Sequence, residues 1–258
     1  MERAYVQAYR ELYATHWWWR AREALVLRVL RSLRPVRADR RILDVGCGDA
    51  LFFPVLAEFG EVSGVEVDEQ FVSEQGPFRQ RIHVGPFDES FSPATRFDLI
   101  LMLDVLEHLP DPQGALAHAA SLLHPAGRLV ITVPTFKMLW TSHDFWNQHR
   151  TRYTKHALRS QADAAGLQIE NWFYCFHWMV AAKLLVRLKE SLGWRSPGPP
   201  RLPVPRVNRA ALRMTLLEQR ILGPLRLPVG SSLLAVLSRR SSTEGASKVD
   251  SGRRRPLG

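Results

Sequence analysis

Residues 41–50 read Arg-Ile-Leu-Asp-Val-Gly-Cys-Gly-Asp-Ala. Ile42, Leu43 and Val45 form a short apolar run of the kind found in strands buried on both faces, and Gly46 and Gly48 end it abruptly. Leu51 to Phe59 reads as a helix, with Gly60 placed to stop it. Strand, glycine turn and helix together let the backbone approach a bulky ligand at the carboxyl edge of a sheet. A second strand, Val62 to Val67, brings Glu66 to that edge 22 positions after Asp44. A carboxylate so placed can accept hydrogen bonds from the 2′- and 3′-hydroxyls of a ribose.

Three later blocks follow in order. Phe97-Asp98-Leu99-Ile100-Leu101-Met102-Leu103 is a near-continuous apolar strand leading into Asp104-Val105-Leu106-Glu107-His108-Leu109. Leu122 to Gly127 closes a helix, and Arg128 to Pro134 reads as another strand. With Asp44-x-Gly46-x-Gly48 and Glu66, these blocks resemble the class I S-adenosylmethionine (SAM)-dependent methyltransferases. The resemblance covers about residues 10–240 and is nearest to the ubiquinone/menaquinone-biosynthesis-type small-molecule branch. Ala50 departs from the pattern, standing where many members carry a third glycine.

The resemblance implies a Rossmann-like three-layer α/β/α sandwich with a mainly parallel seven-stranded sheet and a reversed last strand. It implies SAM as cofactor, its amino-acid end held by Asp44 and the backbone around Gly46, Cys47 and Gly48. Glu66 and Val67 would border the ribose and adenine, with Phe87 as an apolar wall and Asp88 as a partner for the adenine amine. Asp104 would lie beside the cofactor's amino group or the methyl.

The remaining chain divides by composition. A helical cap is expected over 1–36, the cofactor-binding core over 37–178, a helical and Pro-rich insertion over 179–229, the last strand over 230–240 and a disordered basic tail over 241–258. Within the cap, Tyr9, Leu12, Tyr13, His16 and Trp17, then Ala21, Leu25, Val29 and Leu33, recur at helical spacing. Trp17 to Trp19 cannot all face one side of a helix. Either two pack on the sheet with the third on the surface, or they cap the ligand, with Trp18 touching the acceptor. Asp68 should cap a helix over Gln70 to Gln75, and Arg81 to Gly85 the third strand. Asp111-Pro112 should open a helix ending at His124, and Thr154 one ending at Ala165 before Gly166. Leu167 to Phe173 and Ser231 to Leu237 are the last strands. Helices are expected near Met179–Leu192 and over Val207–Leu222.

The formal net charge is +10, and its placement is uneven. From Lys183 onward the balance is +12, against −2 for the rest. A neutral core argues against a nucleic-acid groove across the active face, and so against an RNA or protein methyltransferase. The basic, aromatic insertion suits contact with a membrane surface, or equally a helix packed over the acceptor with its charges in water. No apolar run reaches membrane-spanning length, because His177 and Lys183 interrupt the best candidate. Cys47 and Cys175 have neither metal nor disulfide spacing, which fits a reducing, cytoplasmic setting with membrane association left open.

Chemistry is expected from Asp104, His108 and His149. An imidazole titrates near neutrality and suits removal of an acceptor's proton. A variant of this reading makes Asp104, Glu107 and His108 ligands for a divalent ion. His143, Asp144, Arg152 and Tyr153 lie in a His-, Trp- and Arg-rich loop that resembles the family segment roofing the acceptor. Alternatively, Asp144 and Arg152 form a structural pair. The acceptor expected is small or lipid-soluble, with oxygen, nitrogen and carbon all open. A non-catalytic SAM-binding protein would share every cofactor residue but would need no base.

Overall fold

The computed structural model describes residues 10–33, 39–194 and 202–240. The tail expected over 241–258, Tyr9 and the rest of the cap's first nine residues, and residues 195–201 of the Pro-rich insertion lie outside the described residues.

The apolar runs pair into one seven-stranded sheet of β1 (Arg41–Val45), β2 (Glu61–Glu66), β3 (Ile82–Val84), β4 (Phe97–Leu103), β5 (Leu123–Pro134), β6 (Leu167–Cys175) and β7 (Ser232–Arg239). Their order is β3-β2-β1-β4-β5-β7-β6, and only β7 is antiparallel to its neighbours. Chain direction across the sheet therefore diverges between β1 and β4, where open α/β sheets leave a crevice at the carboxyl ends of the strands. This is the Rossmann-like sandwich expected.

Alternation along β4 shows how the layers form. Leu99, Leu101 and Leu103 enter one core, while Ile100 and Met102 enter the other. The first core is closed by α1 (Trp17–Ser32) through Ala21, Leu25 and Leu30, and by α2 (Phe53–Leu56). The second is closed by α3 (Pro112–Leu122) and α5 (Lys155–Ala164), which contribute Leu116, Ala119, Leu158 and Ala162. Asp111 caps α3 through Gly114 N, and Thr154 caps α5 through Ala157 N, as their sequences predict. A short α4 (Ser142–Trp146) follows β5. Two longer helices, α6 (Trp178–Ser191) and α7 (Pro205–Ile221), fill the connection between β6 and β7.

Some boundaries differ from expectation for physical reasons. The helix expected over 51–59 contracts to Phe53–Leu56. Begun at Leu51 it would need a Pro54 N–H for its first intrahelical bond, whereas from Phe53 the proline falls in the first turn, where no N–H is called for, and Ala50 just upstream is left-handed at φ 56°. After Asp68 there is only a 3₁₀ turn, Glu69–Phe71, although Asp68 does cap it through Gln70 N. β5 begins at Leu123 because Leu123 pairs with Phe97 before the register shifts at Leu99. None of the three tryptophans is exposed. Trp17 is buried against Trp178, and Trp18 lies between Phe176 and the Arg22 guanidinium.

The glycine turn is tied to the sheet beneath it. A Cβ on Gly64 in β2 would collide with Cys47 Sγ and stand 2.9 Å from Phe53 Cζ. Gly64→Ala is therefore expected to destabilise the fold by about 1–3 kcal/mol, since an overpacked core must move its neighbours. A thermal melt superimposable on the parent's would show that Cys47 can move aside freely.

Candidate active site

Four left-handed residues that are not glycine follow parallel strands at the carboxyl edge: Ala50 beyond β1, Asp104 directly after β4, Phe136 after β5 and Phe176 directly after β6. Such backbone costs about 1–3 kcal/mol per residue and persists where the surroundings enforce it, commonly at functional sites. Gly46 and Gly48 share the conformation at φ 72° and 54°. A side chain on Gly46 would also press on Val105 Cγ2 at 2.8 Å.

Glu66 crosses from β2 and closes this turn. Its Oε2 accepts from Gly48 N at 2.9 Å and its Oε1 from Asp68 N at 3.0 Å. The bend and the carboxylate thus form one unit. Burial raises the Glu66 carboxyl, although the amides of Asp68 and Gly48 work against that rise. Asp44 lies below the turn, pushed up to about 7 by burial and by the Glu66 charge against the pull of Arg22. Arg22 reaches across from α1 to pair with Asp104 Oδ2 at 3.0 Å and to bond Leu103 O at 3.5 Å. A buried carboxyl facing a second carboxylate and one guanidinium suits a ligand that carries both an ammonium and a carboxylate. The amino-acid end of SAM is such a group, and the Glu66 carboxylate retains acceptor capacity for ribose hydroxyls.

A second cluster lies where the loop after β5 meets the loop after β4. Arg150 N donates to Glu107 O at 2.7 Å, Arg150 Nε to His108 O at 3.0 Å, and Tyr153 OH to Leu106 O at 3.4 Å. Within this lattice Asp144 has no exposed surface. Its two oxygens accept from Arg152 Nε and Nη2, both at 2.9 Å, and its Oδ1 also accepts from His149 Nδ1 at 2.8 Å. Burial alone would raise the Asp144 carboxyl, but the bonds from His149 and Arg152 hold it well below the usual carboxylate range. His149 meets His108 edge to face at 4.8 Å. Burial, reinforced by the neighbouring His149, lowers His108 to about 4, so its ring is neutral at physiological pH. Glu107 is fully buried and raised by burial and by Asp104. Its carboxylate has no partner beyond its own residue among the described residues.

The family profile described as a methyltransferase domain matches residues 17–171, more than half of the chain. The chain belongs to the class I SAM-dependent methyltransferases. Among its relatives, the ubiquinone biosynthesis O-methyltransferase of Coxiella burnetii (strain Dugway 5J108-111) is 31% identical over 133 residues, 45% of this chain and 56% of that protein. The enzyme of the same name from Aromatoleum aromaticum is 27% identical over 144 residues, 49% of this chain and 60% of the relative. The matches thus span little more than half the length of these relatives. Among solved structures, a TehB-like SAM-dependent methyltransferase from Corynebacterium glutamicum has a TM-score of 0.52 at 20% identity, covering 92% of this chain and 97% of that one. The cyclase SpnF scores 0.53 at 16% identity, covering 87% and 84%. These two likenesses concern the fold alone.

Within this methyltransferase the cofactor residues expected from the sequence fall into three groups. Asp44, Gly46, Gly48, Glu66 and Asp104 gather at the crevice, and Val67 stands beside Glu66 with 70% of its surface open. Cys47 is instead scaffold, because its side chain is buried under the turn and its N–H is taken by Val65 O. Phe87 and Asp88 are engaged locally. Phe87 packs on His118 and Phe91, and exposed Asp88 bonds its own neighbour Ser90.

The acceptor residues divide similarly. Asp144, Arg152 and Tyr153 are buried supports, so the structural-pair alternative for Asp144 and Arg152 is the one observed. His143 is exposed and bonded to Asn147, while Trp18 faces Phe176. The ion-ligand set also changes. Asp104 is engaged by Arg22, and the atoms lying within 4.8 Å of one another belong to Glu107, His108 and His149. Arg22 was not among the site residues expected from the sequence. As one of four arginines along α1 it reads as solvated surface, and only its Trp17-Trp18-Trp19 neighbours hinted at a covered face.

Proposed function

We propose that the protein methylates a hydroxyl group on a small, lipid-soluble acceptor, with His149 receiving the proton. SAM, when bound, supplies an electrophilic methyl group whose transfer needs little beyond alignment and removal of the acceptor's proton. Glu66 would hold the ribose, with Arg22, Asp44 and the Gly46–Gly48 backbone at the amino-acid end. The observation that carries the acceptor half is the Asp144–His149 pair. A Nδ1–H bonded to a buried carboxylate leaves Nε2 as the free acceptor, as a positioned base requires. His108, lowered to about 4, is too weak a base for that task and serves better as the ring that limits His149's movement. Support for oxygen as the methylated atom comes from the names of the relatives, which specify O-methyl transfer.

The decisive experiment supplies methyl-labelled SAM with fractionated lipid, small-molecule, RNA and protein extracts. Label should enter an organic-soluble compound that resists amine-directed cleavage. Label confined to RNA or protein, or bound SAM with no transfer to any fraction, would overturn the proposal. The cofactor half has its own test. Glu66→Ala should weaken SAM binding by about 1–3 kcal/mol in calorimetry, through loss of the ribose bonds and release of the Gly48 amide. Unchanged affinity would place the ribose elsewhere.

A second reading rests on the orphaned Glu107 carboxylate. With His108 and His149 it offers the donor types of a divalent-ion site that would orient the acceptor oxygen. Chelator treatment separates the two readings, because a base at His149 survives it and an ion-dependent reaction does not.

A further inference from the structure

The two helices between β6 and β7 pack on the core through Trp178, Met179, Ala211 and Leu212, yet each also turns a second apolar stripe to solvent. In α6, Lys183, Arg187 and Glu190 share one face, and that face meets the loop after β5, with Arg187 itself exposed and Lys183 and Glu190 half-buried. Arg187 donates to the carbonyls of Met138 and Trp140, and Glu190 accepts from Ser142 N and Oγ. Burial lowers Lys183 to about 8, with the nearby Arg152 charge adding to the shift. The opposite face carries Leu185, Leu188 and Leu192 at steps of three and four, each more than half exposed, with Trp194 just beyond at 72%. In α7 the buried residues are Thr215, Glu218 and Gln219, whereas Val207, Met214, Leu217 and Ile221 are open to solvent. Glu218 spends its carboxylate on His177 N and Trp178 N at the start of α6. A helix packed on a core for stability alone buries its apolar stripe and leaves its charges in water.

The charges beside the outward stripes share one sign. Lys189 on α6 and Arg206, Arg209, Arg213 and Arg220 on α7 flank the apolar positions, and the two acidic residues of these helices, Glu190 and Glu218, both serve inward bonds. Two copies of the chain meeting along this surface would oppose arginine to arginine, where paired helices normally set opposite charges. An apolar stripe bordered by cations is complementary to negatively charged headgroups over acyl chains. We infer that the outer faces of α6 and α7 form a docking surface for an anionic bilayer. No helix among the described residues is long and apolar enough to cross a membrane, so the contact is peripheral. α6 also braces the segment from Lys137 to Ser142 that leads into Asp144 and His149. The lipid phase would therefore adjoin the acceptor roof, and this step alone rests on the lipid-soluble acceptor proposed above.

Vesicle flotation of the full chain tests the inference, using phosphatidylcholine with and without phosphatidylglycerol. The protein should float with anionic vesicles and much less with neutral ones, and salt should reverse the binding. Arg213→Glu with Arg220→Glu should lower partitioning to anionic vesicles by at least about twentyfold, given the contribution of each basic residue near such a surface. Leu188→Glu with Leu217→Glu should abolish flotation with either lipid. Calorimetric SAM affinity measured on the same variants should match the parent's, so loss of docking is read separately from loss of the enzyme fold. Failure of the parent to float with anionic vesicles at low salt would overturn the inference. So would a concentration-dependent dimer that Leu217→Glu dissolves, because the stripe would then belong to a second copy.

Discussion

Asp144→Ala should lower the stability of the protein by about 3–5 kcal/mol, the cost of removing one partner from a buried ion pair and stranding the other. Asp144 is fully buried and Arg152 is 5% exposed, so water cannot replace the lost carboxylate. The same side chain caps α4 by accepting from Thr141 N at 2.9 Å, and it fixes His149. In a protein of this size the change corresponds to a fall of roughly 6–20 °C in melting temperature. Its pH dependence identifies the cause. A carboxyl held below its ordinary range when folded stabilises in full above its unfolded value of about 4, and that stability is lost as pH falls through the depressed value. The melting temperatures of the parent and Asp144→Asn should therefore differ widely near neutrality and converge on strong acidification. A gap independent of pH would mean that packing, not the ionised pair, accounts for the loss.

How much of this was legible beforehand depended on whether neighbours in space were also neighbours in pattern. β4 was read to its last residue because seven contiguous positions, nearly all apolar, admit little besides a buried strand. The nearness of Glu66 to the glycine turn was legible because the β1 turn and the end of β2 stand side by side in any such fold, but its bond to the Gly48 amide was not. Asp144 and Arg152 lie eight residues apart in a loop with no period, so sequence could present them equally as acceptor contacts or as a structural pair. α6 and α7 mark a different limit. Periodicity assigns Leu185, Leu188 and Leu192 to one face, but it carries no sign to say whether that face looks toward the core or away from it. The usual assumption, apolar side inward, holds for Trp178, Met179, Ala211 and Leu212 but not for these leucines, because Glu190, Arg187 and Glu218 take the positions that meet the loop after β5 and the start of α6.

Fold likeness leaves the reaction open, since a cyclase and a SAM-dependent methyltransferase resemble this chain to a similar degree. The side chains at the carboxyl edge decide it, and His149 is the one on which the proposed chemistry turns. His149→Asn should reduce turnover by about 10²–10⁴-fold, the usual contribution of a positioned acid or base, while calorimetric SAM affinity stays unchanged. Asparagine can still donate to Asp144 Oδ1, so the Asp144–Arg152 pair should survive and the melting temperature should move little. His108→Asn should cost less, because its ring is lowered by burial and bears on His149 only edge to face. Chelation of the parent provides the control: if it reproduces the His149→Asn loss, the imidazole holds an ion with Glu107. If the parent is indifferent to chelator and the variant remains slow, the imidazole itself takes the proton. A variant working at full rate in both conditions would leave His149 as a strut of the loop, and the Asp144 network would then serve stability alone.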